Sequence, residues 1–212
     1  MPDFAFENVL RARGVWPVAG CDEAGRGPLA GPVAAAAVIL APDDLPPGID
    51  DSKKLTAGAR DELYHVIFAK AVAIGVSFAS HAEIDTLNIR AASFLAMRRA
   101  IAALAVAPAH ILIDGNALPG NLSCNAEAIV KGDTLSLSIA AASIVAKVTR
   151  DRLMRNLDIA CPSYGFGDHV GYATLAHRRA IEKLGASPYH RRSFAPITAA
   201  LAKPRTAAAR QG

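Results

Sequence analysis

Acidic residues recur where apolar runs stop. Residues 15–21 run into Asp22-Glu23, residues 110–113 into Asp114, and residues 126–130 reach Asp133 through Lys131-Gly132. Each run has the length and composition of a short buried strand. In open α/β sheets, strand ends are where ligand sites gather. Carboxylates brought together there repel and resist ionising, whereas a divalent cation removes that cost and gains hard oxygen ligands. An all-carboxylate set with no cysteine pair points to magnesium or manganese rather than zinc. The histidines at 65, 81, 110, 169, 177 and 190 contain no HxxxH pair. Asp114 and Asp133 also fit the common use of aspartate as a helix or turn cap, so the adjacent pair Asp22-Glu23 carries most weight. Spacing does not say whether the four converge.

A glycine-rich turn follows the first acidic pair. Gly25-Arg26-Gly27-Pro28-Leu29-Ala30 fits G-x-G-x-x-A, a dinucleotide-binding fingerprint that would make the chain a nucleotide-cofactor oxidoreductase. That fingerprint needs a helix after the loop to receive the pyrophosphate. Here Asp22-Glu23 precede the loop, and the following run reads as a strand. The other use of these glycines is close approach of backbone amides to a ligand, since no Cβ intervenes. Arg26 can add a fork of donors for phosphate.

The elements that would position these residues alternate. Residues 32–40 and 73–80 read as further strands; 57–71, 85–104, 138–157 and 174–184 have helical spacing; 162–171 reads as loop. Residues 1–14 have little pattern. This is an α/β class with a central sheet. At 212 residues, 52% hydrophobic and 20% charged, the chain is neither disordered nor long enough for several cores. No apolar run reaches the roughly 18 residues that span a bilayer. Cys21, Cys124 and Cys161 form neither a disulfide framework nor a zinc pair, which makes a reducing cytoplasm the default. The net charge of +4 is uneven: from residue 177 onward eight basic residues face one acid, a surplus of seven, which leaves residues 1–176 at −3. A basic end on an acid-bearing body suits a polyanionic partner, and a solvated helix face plus a charged tail would give the same balance.

Ala19-Gly20-Cys21-Asp22-Glu23-Ala24-Gly25-Arg26-Gly27-Pro28-Leu29-Ala30-Gly31-Pro32-Val33 resembles the signature of the type 2 ribonuclease H family, bacterial ribonuclease HII. Asp51-Ser52-Lys53-Lys54-Leu55, Ile113-Asp114-Gly115, Lys131-Gly132-Asp133, Ala141 to Asp151, Tyr164-Gly165, His169 to Thr174 and His190-Arg191-Arg192-Ser193-Phe194 agree in order. The likeness covers about residues 15–196. Cys21 and Cys161 depart from it, outside the acid set.

The resemblance implies a ribonuclease H-like fold: a central mixed β-sheet flanked by helices, with a small helical C-terminal part from about residue 160. The sequence pattern itself gives one catalytic domain over 1–198 and a basic, mobile tail over 199–212, where alanines and basic residues replace any pattern. The implied activity is cleavage of the RNA strand of RNA–DNA hybrids, and incision 5′ of single ribonucleotides in duplex DNA, leaving 3′-hydroxyl and 5′-phosphate ends. Asp22, Glu23, Asp114 and Asp133 would hold two Mn2+ or Mg2+ ions. Gly25, Arg26 and Gly27 would sense the 2′-hydroxyl, the one group that marks RNA, and Tyr172 would stack on the next sugar. Lys53, Lys147, Arg191 and Arg192 are candidates for phosphate contacts, each with a solvated charge as the competing reading. The expected partners are RNA–DNA hybrid and ribonucleotide-containing DNA duplex, bound by a monomer that makes no membrane contact; the tail either contacts a replication clamp or simply adds non-specific affinity. A nucleic-acid-binding module without catalysis is the other class, and it leaves the four acids unexplained.

Overall fold

Five strands form one mixed sheet in the order β3-β2-β1-β4-β5. They are β1 (Val18–Ala24), β2 (Val33–Leu40), β3 (Ala71–Ala79), β4 (His110–Asp114) and β5 (Asn125–Ile129). The computed structural model describes residues 1–50, 52 and 54–202, so Lys53 and residues 203–212 lie outside the described residues. β1, β2 and β3 pair antiparallel, whereas β1, β4 and β5 run parallel. β1 is therefore central, and its C-terminal end points the same way as those of β4 and β5.

β2 explains its own composition. All eight of its residues are buried, because helices cover both faces of the sheet. Ala35 and Ala37 face one helical layer and Ala36 the other. Side chains no longer than a methyl let both layers close on a central strand. On one face lie α3 (His81–Leu87) and α4 (Ile89–Ala102). On the other lie α2 (Ala57–Lys70) and the long α5 (Leu137–Ala160). Two glycines set how closely the layers approach. A Cβ on Gly20 would sit 2.1 Å from the Ser138 carbonyl carbon of α5, and one on Gly75 would sit 2.0 Å from the Ala100 oxygen of α4.

The expected strands and helices are present within a few residues, with three differences. The helix expected over 85–104 is two helices broken at Asn88, whose φ of 72° is left-handed, a conformation asparagine tolerates. The Asn88 side chain accepts from the Ala91 amide and starts α4, and a Ser80/Glu83 capping box starts α3. Residues 1–14, read as patternless, contain α1 (Ala5–Ala12), whose buried Glu7 accepts from the Ser136 hydroxyl and the Ser138 amide at the start of α5. The third difference is in the C-terminal part. The stretch read as loop over 162–171 holds the short α6 (Phe166–His169), followed by α7 (Leu175–Leu184) and α8 (Ala195–Ala202). α8 runs through residue 199, where the tail is expected to start, to Ala202.

Candidate active site

The register of the parallel strands brings two acids side by side. Cys21 of β1 pairs with Ile113 of β4, so Asp22 and Asp114 follow as neighbours at the strand ends. Cys21 and Ile113 point into the core under α4. Strand alternation then sends the Asp22 and Asp114 side chains to the opposite face, beside α5. Asp133 arrives from β5 through a 3-10 turn, Gly132–Thr134, entered by a left-handed Lys131. Its amide donates to Asp114 Oδ1 at 3.4 Å. A Cβ on Gly132 would meet Ile139 at 2.6 Å and that same Asp114 oxygen at 3.4 Å. Only glycine lets the turn lie so close to the strand end.

The resulting cleft has a volume of about 500 Å3. Asp22, Glu23 and Asp114 line it together with Gly25, Arg26, Gly27, Lys147 and Tyr172. Asp133 is buried, with its amide bonded to Asp114. The acids strain one another. Burial pushes the Asp22 carboxyl well above the usual range; the charges of Glu23 and Asp114, then of Asp133, push it further, against one opposing hydrogen bond from the Glu23 amide. Burial also raises Glu23, opposed by Arg26, whose Nη1 donates to Glu23 Oε1 at 3.0 Å. Among the described residues no three His, Cys, Asp or Glu side chains already stand in a geometry that holds an ion. The donor set is nonetheless all carboxylate oxygen, with Arg26 on Glu23, and the repulsion that raises Asp22 is what a hard divalent cation relieves. The residues fit such a cation.

The glycine loop is fixed from beneath by two buried arginines. Gly25 has φ of +96°, and a Cβ there would fall 1.9 Å from Arg150 Nε. Arg150 donates to the carbonyls of Ala30, Pro32 and Val170. Arg191, expected on phosphate, is instead completely buried and donates to the carbonyls of Gly25, Arg26, Gly31 and Pro32. Its guanidinium is buried, with four of its five N–H donors bonded to the loop's carbonyls, which keeps it from a ligand in the cleft. Burial, then the neighbouring Arg150 charge, pushes its pKa down to about 9, so it stays charged at neutral pH. Arg192 is exposed and away from the cleft lining, its amide held by Asp85. Lys147 does line the cleft and donates to Asp151 Oδ1 at 2.9 Å. Tyr172 is 45% exposed, with its ring across from Gly27.

Tyr172 is held through its backbone. His177 Nδ1 lies 2.8 Å from the Tyr172 carbonyl and His177 Nε2 lies 3.0 Å from His190 Nε2. The Ser187 amide donates to His190 Nδ1, which fixes the tautomers: His190 donates through Nε2 to His177, and His177 donates through Nδ1 to the carbonyl. Both rings are buried, and burial lowers both, His190 to about 4.

Ser52, Arg60 and Ser143 also line the cleft, and none was assigned a role from sequence. Ser52 and Ser143 hydroxyls lie 2.7 Å apart. Both fall inside motif stretches, which was the available signal; Arg60 sits in α2 with none. After Gly25–Ala30 comes strand β2, not a helix, so the dinucleotide reading lacks the helix N-terminus it requires.

The chain is similar to known proteins over most of its length. The family model described as Ribonuclease HII matches residues 19–197. The ribonuclease HII of Sinorhizobium medicae (strain WSM419) is 58% identical over 197 residues, covering 93% of this chain and 91% of that protein. The crystal structure of ribonuclease H2 from Pyrococcus horikoshii OT3 superposes with a TM-score of 0.70 at 26% identity, covering 86% of this chain and 96% of that one. The ribonuclease HII of Archaeoglobus fulgidus, solved as a complex with PCNA, gives 0.68 at 28% identity, covering 83% and 93%. The fold is thus the ribonuclease H-like fold, with its mixed sheet between helical layers. From residue 19 to residue 197, strand-end acids, glycine loop and Tyr172 included, the chain belongs to the ribonuclease HII family, and it is a metal-dependent endoribonuclease of the ribonuclease H type.

Proposed function

We propose that the enzyme incises duplex DNA on the 5′ side of an embedded ribonucleotide, as well as cutting the RNA strand of hybrids, leaving a 3′-hydroxyl and a 5′-phosphate. The observation that carries this reading is the meeting, in one cleft, of the carboxylates of Asp22, Glu23 and Asp114 with the Gly25–Arg26–Gly27 backbone and Tyr172. Asp22, Glu23, Asp114 and Asp133 would hold two divalent cations, Mn2+ or Mg2+, which when bound neutralise the scissile phosphate and lower the pKa of water.

The chain's own residues do the rest. Arg26, tied to Glu23, keeps one acid oriented and presents its remaining donors at the mouth of the cleft. Lys147, tethered by Asp151, offers a fixed cation for a backbone phosphate, which positions the duplex without reading its sequence. The amides of the glycine loop approach the 2′-hydroxyl, and the Tyr172 ring stacks on the following sugar, favouring a deoxyribose. The basic segment after Ala202 adds affinity for nucleic acid, and the enzyme contacts a sliding clamp, a contact supported by the Archaeoglobus complex. The protein acts as a monomer in the cytoplasm, where its duplex substrate lies.

The test is a labelled DNA duplex carrying one ribonucleotide, incubated with and without Mn2+ or Mg2+. A single metal-dependent cut immediately 5′ of the ribonucleotide is expected. Cutting on its 3′ side, or a 2′,3′-cyclic end, would overturn the proposal.

A further inference from the structure

Arg191 is a buried cation without an acidic partner. It is 0% exposed, and among the described residues no carboxylate stands within ion-pair distance of it. Such a charge is tolerated only if its donors are satisfied, and here backbone carbonyls take four of its five N–H groups. Nη2 donates to Gly25 O at 2.6 Å and to Pro32 O at 3.2 Å, Nη1 to Arg26 O at 2.9 Å and Nε to Gly31 O at 2.9 Å. The Phe194 ring covers the guanidinium, 5.1 Å from its centroid. The Arg191 amide donates to Leu29 O, and His190 bridges Ala30. The arginine is thus fixed to the loop by its main chain as well as its side chain.

Peptide geometry gives this a consequence. The only cis bond among the described residues is Trp16-Pro17, so the loop peptides are trans, and in a trans peptide the C=O and the following N–H point in opposite directions. With the Gly25 and Arg26 carbonyls drawn inward to Arg191, the Arg26 and Gly27 amides point away from it. Gly25, Arg26 and Gly27 form wall of the cleft. We propose that Arg191 is a positioning residue for ribonucleotide recognition: by holding two carbonyls inward it aims the Arg26 and Gly27 N–H groups at the 2′-hydroxyl. This rests on the reading above that the glycine loop meets the ribonucleotide.

The test separates recognition from folding. Binding is measured in EDTA, so that nothing is cut, for a duplex with one ribonucleotide and for the all-DNA duplex of the same sequence. Arg191→Lys keeps the charge but cannot span four carbonyls. It should lower the preference for the ribonucleotide by up to about tenfold, the upper end for losing one neutral hydrogen bond. The all-DNA affinity, set by phosphate contacts, should change less than about twofold. Parallel weakening of both duplexes, with the preference intact, would overturn the inference in favour of a purely structural role. Should the variant not fold, the wild-type protein decides: the Arg26 and Gly27 amide resonances should shift with the ribonucleotide duplex and not with all-DNA, and unshifted resonances would overturn the inference. A wild-type protein with no ribonucleotide preference at all would instead remove the reading on which it rests.

Discussion

Asp22 pays for its position in the metal-free protein. Its carboxyl is raised by burial and by three neighbouring acids, so ionising it costs the folded state more than the unfolded chain. The sign follows: a raised acid costs stability above its folded pKa, and the cost fades as pH falls through that value. Asp22→Asn should therefore raise the melting temperature of the metal-free protein, by ~2–4 °C for each kcal/mol of repulsion removed. Wild-type protein should be stabilised by Mn2+ or Mg2+ in a thermal-shift measurement, and the variant much less so. A variant that melts lower without metal, or responds to metal as wild type does, would contradict this account of the acids. The acids were legible in sequence because aspartate at the end of an apolar run is visible in one dimension. Arg191 was misread because a basic residue in a basic stretch looks the same whether it faces phosphate or backbone. Only the fold, joining residues 25–32 to residue 191, tells the two apart.

Elements decide how tightly the acids are held. Gly20 lies two residues before Asp22, pressed against the first turn of α5. Gly20→Ala would force the helix off the strand, at a cost of about 3 kcal/mol, the upper part of the range for overpacking. It should also depress activity, because α5 flanks the Asp22 carboxylate; chemical denaturation and turnover of the same variant check both effects. The strands and the helices α2, α5 and α7 were legible because apolar periodicity and bounding prolines and glycines are local signals. The break at Asn88 was not, because a left-handed asparagine within continuous helical spacing leaves no compositional trace. α1 was not, because its reason to form is distant: Glu7 binds residues 136 and 138 of α5.

For the whole molecule, the C-terminal part is a brace for the substrate cleft. The segment from Ser187 to Arg191 reaches the glycine loop through Arg191 and Tyr172 through His190 and His177. Two buried neutral histidines make that brace sensitive to acid. With His190 at about 4 in the fold against an ordinary 6.5, the unfolded chain takes up a proton first. Stability from this group is intact above pH 6.5 and falls as pH drops from 6.5 towards 4, by on the order of 3 kcal/mol. Melting temperatures over that range should decline less steeply for His190→Gln, which can still accept from the Ser187 amide and donate to His177; an unchanged slope would contradict the neutral pair. No helix among the described residues is long and apolar enough to cross a membrane. The central claim remains that carboxylates from three separate strand ends act as one metal-holding group. Its most direct measurement is turnover of an RNA–DNA hybrid by Asp22→Asn and by Asp133→Asn, with hybrid affinity measured alongside. The account predicts a loss of about 10^3-fold or more in rate for each, equal to several kcal/mol of transition-state stabilisation, with affinity within a few-fold of wild type. Near-normal turnover by either variant would contradict it.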